Sequence, residues 1–101
     1  MPKTPKKERS MALYETILQL RDLDECCRFF EDLCTANEQR TMEQRFDVAL
    51  LLDEGRVYTE ILEKTGASSA TISRVNRVFT TGTGAFQEMI DRRREESPEP
   101  S

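Results

Sequence analysis

Apolar residues recur along this chain at spacings of three and four, in blocks divided by glycine or by a short polar residue able to cap a helix, and nowhere in sustained strict alternation. Each block predicts a helix. From Met11 to Leu20, Leu13, Ile17 and Leu20 share one face, with Tyr14 and Leu18 on the neighbouring one. Asp22 or Asp24 can cap a second helix, in which Leu23, Cys26, Cys27, Phe29, Phe30, Leu33 and Cys34 cover much of the circumference. A helix that apolar needs burial on more than one side, and in a chain of 101 residues a second copy is the nearest source of it. Thr35 followed by Glu38 is a capping box, predicting a long helix from about Ala36 to Glu54 that stops at Gly55. It carries Met42, Phe46, Ala49 and Leu50 on one face and a second apolar strip of Val48, Leu51 and Leu52. After residues 58–80, the TGTG of Thr81 to Gly84 breaks the helix, and Ala85 to Arg94 forms a last one with Phe86, Met89 and Ile90 inward. The pattern predicts an all-α fold, one helical domain over 11–94, flanked by an arm (1–10) and a tail (95–101) too polar to pack.

Between the long helix and the break lies YTEILEKTGASSATISRVNR, Tyr58 to Arg77, which reads as helix, tight turn, helix. Gly66 is placed where the first helix must end in a left-handed conformation, and Ser68 can cap the second. Ile61, Thr65, Ala67, Ile72 and Val75 fall inward; Ser69, Ala70, Ser73, Arg74 and Arg77 fall outward. Small hydroxyls and guanidiniums on an exposed helix face are suited to close approach to a phosphate backbone or a base edge, where a merely solvated helix more often carries Glu and Lys. The candidate DNA contacts are therefore Ser68, Ser69, Ala70, Thr71, Ser73, Arg74 and Arg77. One place departs from the helix-turn-helix norm: the fifth of the first helix, usually small, is Leu62. Two helices around a glycine turn also occur in proteins that never meet DNA, so a helical protein-interaction module remains the alternative.

Charge sharpens the picture. The net charge of −4 is unevenly spread: residues 1–10 carry +3 and residues 56–81 carry +2, whereas residues 11–55 set four arginines against eleven acidic side chains for −7. The reading head and the arm are basic; an acidic body repels DNA elsewhere and restricts docking to one face. Three cysteines, two of them adjacent, and no histidine make a disulfide framework or a zinc site unexpected, and Cys26, Cys27 and Cys34 read as small core residues. Without histidine, and without a Ser or Cys nucleophile beside a base at a motif spacing, no enzyme is expected. No run reaches the roughly 18 apolar residues of a membrane span, and the first ten residues lack a signal-peptide core, so a cytoplasmic protein is expected.

LCTANEQRTMEQRFDVALLLDEG followed by YTEILEKTGASSATISRVNR resembles the Trp repressor superfamily, and DLDECCRFFEDLCT together with GASSATISRV is most similar to its YerC/YecD branch. The similarity runs from about Leu13 to Ile90. It implies six helices in an intertwined homodimer, the first three helices and the last forming a shared core from which two reading heads project. It implies a sequence-specific DNA-binding transcriptional regulator, a repressor, with double-stranded DNA as partner and neither metal nor membrane.

The resemblance also carries a ligand site. Thr35 matches the position whose backbone lines the indole pocket, Arg45 the arginine over one face of the ring, and Arg74 the arginine on the other face that meets the ligand carboxylate. The repressors have glycine directly after that second arginine; this chain has Val75, whose branched side chain intrudes on the pocket or fills it, and a loop residue before the first reading helix is missing. No tryptophan cofactor is therefore expected. Arg74 holding a phosphate and Arg45 an acidic neighbour is the plainer expectation, and an effector other than tryptophan between the two arginines stays open.

Overall fold

The computed structural model describes residues 9–96, so most of the arm and of the tail fall outside the described residues. Among the described residues there are six helices and no strand: α1 (Met11–Ile17), α2 (Leu23–Leu33), α3 (Ala36–Asp53), α4 (Tyr58–Thr65), α5 (Ser69–Thr81) and α6 (Ala85–Glu96). The chain divides into two compact units, one up to Gln39 and one from Arg40 onward.

In the first unit the caps follow the sequence. Asp22 accepts from the Glu25 N–H at 2.8 Å while the Glu25 carboxylate accepts from the Arg21 N–H at 2.9 Å. Asp24 pairs instead with Arg28 one turn on, at 2.9 Å. The Thr35 hydroxyl accepts from the Glu38 N–H at 3.0 Å and the Glu38 carboxylate from the Thr35 N–H at 2.9 Å, the reciprocal bonds of a capping box. α1 ends at Ile17, short of Leu20, because the chain tightens through Gln19 N–H to Thr16 and Leu20 N–H to Ile17 to reach the extended Asp22 cap. No residue of α1 or α2 is buried: Leu18 is 81% and Leu23 78% exposed. The cysteines correct the expectation of core residues, since Cys27 is exposed and Cys26 and Cys34 are half-buried and free. Within one chain, nothing covers enough of α2's apolar circumference to bury them.

The second unit has a core. Val48 and Ala49 of α3, Ile61 of α4, Ala67 of the turn, Ile72 and Val75 of α5 and Ile90 of α6 are all buried. Phe86 lies 6.3 Å, centroid to centroid, from both Phe46 and Phe79, closing α6 onto the same cluster. The deepest α3 residues come from the two predicted strips together, Val48 from one and Ala49 from the other, while Met42 is left 41% exposed. α3 ends in a Schellman motif, with Gly55 N–H donating to Leu52 and Arg56 N–H to Leu51.

α6 is latched to the end of α3 by polar groups. Arg94 is ion-paired with Asp53, and the Gln87 amide donates to the same carboxylate at 3.1 Å. The Arg94 hydrogen bond first, and that of Gln87 second, hold the Asp53 pKa below its ordinary value. A depressed folded-state pKa contributes stability above the unfolded value of about 3.9 and loses it as pH falls through the folded value. Arg94→Ala is accordingly expected to lower Tm at neutral pH, with the difference from wild type shrinking toward zero as pH drops below about 4. Thermal melts across pH 2–7 check this; a difference that is constant with pH would show that the pair contributes nothing.

Candidate nucleic-acid interface

The turn between α4 and α5 is closed by its own residues. Gly66 adopts φ 74°, left-handed, a conformation costing most other residues about 1–2 kcal/mol. Its N–H donates to Leu62 at 2.9 Å. The Thr65 hydroxyl donates to the Ile61 carbonyl at 2.8 Å and accepts from the Ala67 N–H at 3.1 Å, which explains a half-buried threonine in the inward set. Ser68 caps α5 as predicted, its Oγ accepting from the Thr71 N–H at 3.1 Å. Leu62 is exposed while Ile61 and Ala67 are buried, so the bulky fifth residue stands clear of the core.

α5 is two-faced. Ile72 and Val75 go into the core with Phe79 half-buried beside them. Ser69, Ser73 and Arg77 lie on one exposed row at i, i+4 and i+8, and Ala70 and Arg74 on the adjacent row, all exposed. The hydroxyls divide into two classes. The Ser68 hydroxyl donates to that of Thr71 at 3.1 Å at the cap, and those of Thr80 and Thr81 fold back on the Asn76 and Arg77 carbonyls. Ser69 and Ser73 make no hydrogen bond within the described residues, which leaves their hydroxyls to solvent or a ligand. The C-terminal threonines have spent their protons on the helix itself, so the donor-rich part of the face runs from Ser69 to Arg77.

The arginines divide likewise. Arg21, Arg28, Arg56 and Arg94 are ion-paired, whereas Arg9, Arg40, Arg45, Arg74, Arg77, Arg92 and Arg93 have no carboxylate partner among the described residues; of these, Arg74 and Arg77 share the exposed face of α5. The acidic neighbour expected for Arg45 is thus not found, because its α3 face projects outward beside the half-buried Gln44. Thr35 is exposed and committed to the α3 capping box. Val75 is buried, 3% exposed, as part of the core.

One residue escaped the sequence reading. Gln44 of α3 is half-buried, and its Nε2 donates to the Thr65 carbonyl at 3.1 Å, across 21 residues of sequence. Its one visible signal is a polar residue one helical turn before Val48, on the side of α3 that meets α4 and α5. Among the described residues there is no cluster of three or more potential metal ligands and no helix long and apolar enough to cross a membrane.

The comparisons agree with this geometry. Residues 8–94 match the family model described as Trp repressor protein. The chain is 49% identical over 89 residues to the uncharacterized protein YerC of Bacillus subtilis (strain 168), covering 88% of this chain and 86% of that protein. Its fold superposes with a TM-score of 0.82 on a TrpR-like protein from Eubacterium eligens ATCC 27750, at 48% identity, covering 87% of this chain and 94% of the other. Six helices in this order, a glycine-cornered helix-turn-helix and the match over 8–94 place the chain in the Trp repressor family, a family of helix-turn-helix regulators.

Proposed function

We propose that this protein is a sequence-specific DNA-binding regulator, a repressor, that acts as a homodimer in the cytoplasm. The carrying observation is the exposed face of α5, where two uncommitted serine hydroxyls stand beside two arginines with no carboxylate partner. In a chain of net charge −4, guanidiniums left unpaired on one helix face are positioned for phosphates. Ser69, Ala70 and Ser73 meet base edges, directly or through water; Thr71, Arg74 and Arg77 hold the backbone and fix the register, with Ser68 serving the cap. With few arginines aimed at bases, DNA shape supplies part of the specificity.

The homodimer is motivated by α1 and α2, whose Leu18, Leu23, Met11, Tyr14 and Leu33 are exposed in one chain. Two reading heads then enter successive major grooves about 34–36 Å apart. No metal or tryptophan is part of this reading, in keeping with a buried Val75 beside Arg74.

The experiment is a binding selection on random duplexes with purified full-length protein, combined with its mass in solution. A dimer that enriches a palindrome is the expected result. Failure to enrich any sequence at low salt, with and without a panel of aromatic and amino-acid ligands, would count against DNA reading. A monomer with its apolar faces open would favour the other reading of those faces, a helical protein-interaction module.

A further inference from the structure

We propose that Gln44 is the positioning residue of the reading head: its amide, donating to the Thr65 carbonyl, sets the angle at which α4 and α5 leave α3. This rests on the DNA-binding reading above.

Thr65 is the last residue of α4, and its carbonyl points out of a helix that ends there. Two other groups of the corner are closed locally: Gly66 N–H donates to Leu62, and the Thr65 hydroxyl makes two bonds, one to Ile61 and one from the Ala67 N–H. The Thr65 carbonyl is instead met by a side chain from another helix. Gln44 also lies beside the corner: a Cβ added at Gly66 would stand 3.9 Å from its Nε2, an ordinary contact distance. One turn further along α3, Val48 is fully buried in the core that holds Ile61, Ala67, Ile72 and Val75.

The division of labour follows from the physics of the two contacts. Apolar burial holds the head to α3 but is non-directional and tolerates tilt. A hydrogen bond at 3.1 Å to a carbonyl weakens steeply with angle, so it selects one tilt. The lever is long. Arg77 lies nine residues beyond the Ser68 cap of α5, roughly 13 Å of helical rise, so a tilt of about 10° at the corner moves it roughly 2 Å, enough to break a hydrogen bond. In a dimer both heads tilt, and their fit to two grooves changes at both ends.

The test uses the full-length protein with Gln44→Met, equal in length but lacking the donor, and Gln44→Lys, which keeps a donor able to reach the carbonyl. Affinity is measured for the duplex enriched by wild type and for random duplex of equal length, at a temperature where melting curves show every variant folded. Gln44→Met is expected to lower affinity for the enriched duplex about five- to tenfold, the scale of one neutral hydrogen bond, and to leave random duplex within about twofold. Gln44→Lys is expected to restore the ratio of the two. Residual dipolar couplings on the DNA-free protein report the geometry separately: those of α5 relative to the second half of α3 change in Gln44→Met and return in Gln44→Lys. An unchanged ratio, a parallel loss on both duplexes, or unchanged couplings would overturn the proposal. If the wild type enriches no duplex, the DNA reading has failed, whereas the couplings alone still decide whether Gln44 sets the angle.

Discussion

Ile72→Ala is expected to cost about 2–5 kcal/mol of stability, the range for truncating a fully buried isoleucine that leaves a cavity. Ile72 is 0% exposed and sits among Val48, Ala49, Ile61, Ala67, Val75 and Ile90, a core of seven buried residues with little slack to collapse into the space. For a chain of about this size each kcal/mol shifts Tm by about 4–8 °C, so a drop of roughly 10 °C or more should appear in a circular-dichroism melt. The adjacent Ser73 makes the control. It is exposed and makes no hydrogen bond, so Ser73→Ala should stay within about 0.5 kcal/mol of wild type while altering base preference. If both variants melted alike, the assignment of inner and outer faces of α5 would be wrong.

The second large effect is on DNA. Replacing Arg74 and Arg77 together by alanine removes two cationic side chains that no carboxylate of the described residues holds, four in a homodimer. Each lost phosphate contact shallows the dependence of log affinity on log salt by about 0.9, so the slope should fall by about 3–4 in the dimer. Affinity for enriched and random duplexes should fall together, by about a hundredfold at moderate salt. Because both side chains are exposed, the melting curve should barely move. A titration series from 50 to 300 mM salt reads the slope directly. An unchanged slope would remove Arg74 and Arg77 from the phosphate contacts and with them the main electrostatic support for the docking face.

Much of the fold was legible because its signals are local. A capping box closes within three residues, so Thr35 and Glu38 predicted the start of α3 from their spacing alone. Gly66 and Ser68 likewise marked the corner and cap of the helix-turn-helix, and period-3.6 spacing separated Ile72 and Val75 from Ser69, Ser73 and Arg77. The end of α1 was not legible, because the i to i+3 turns after Ile17 serve the cap of the next helix, not any property of Leu18 to Leu20. The burial of the cysteines was not legible either, because apolar character states a preference for burial but not whether one chain holds a surface to satisfy it.

The candidate face shows the same boundary at the level of single atoms. Sequence placed four hydroxyl residues, Ser68, Ser69, Thr71 and Ser73, and two arginines on or near α5's outer side, but the type of residue does not say where its proton goes. At the cap Ser68 donates to the Thr71 hydroxyl, further along Thr80 and Thr81 donate to their own helix, and the hydroxyls of Ser69 and Ser73 make no hydrogen bond among the described residues. Charge divides differently, since Arg56 meets Glu60 four residues on, a spacing visible in the sequence, whereas Arg94 meets Asp53 only across 41 residues.

By itself, then, the sequence determined the helices, their caps, the left-handed corner and the two faces of the recognition helix, because each depends on residues within about one turn of one another. Tertiary structure alone decided that Asp53 receives Arg94 and Gln87 from α6 and that Gln44 meets the Thr65 carbonyl. Those pairings span 21 to 41 residues, and a hydrogen bond good only within a few tenths of an ångström is specified by how packed helices register, which no local pattern encodes.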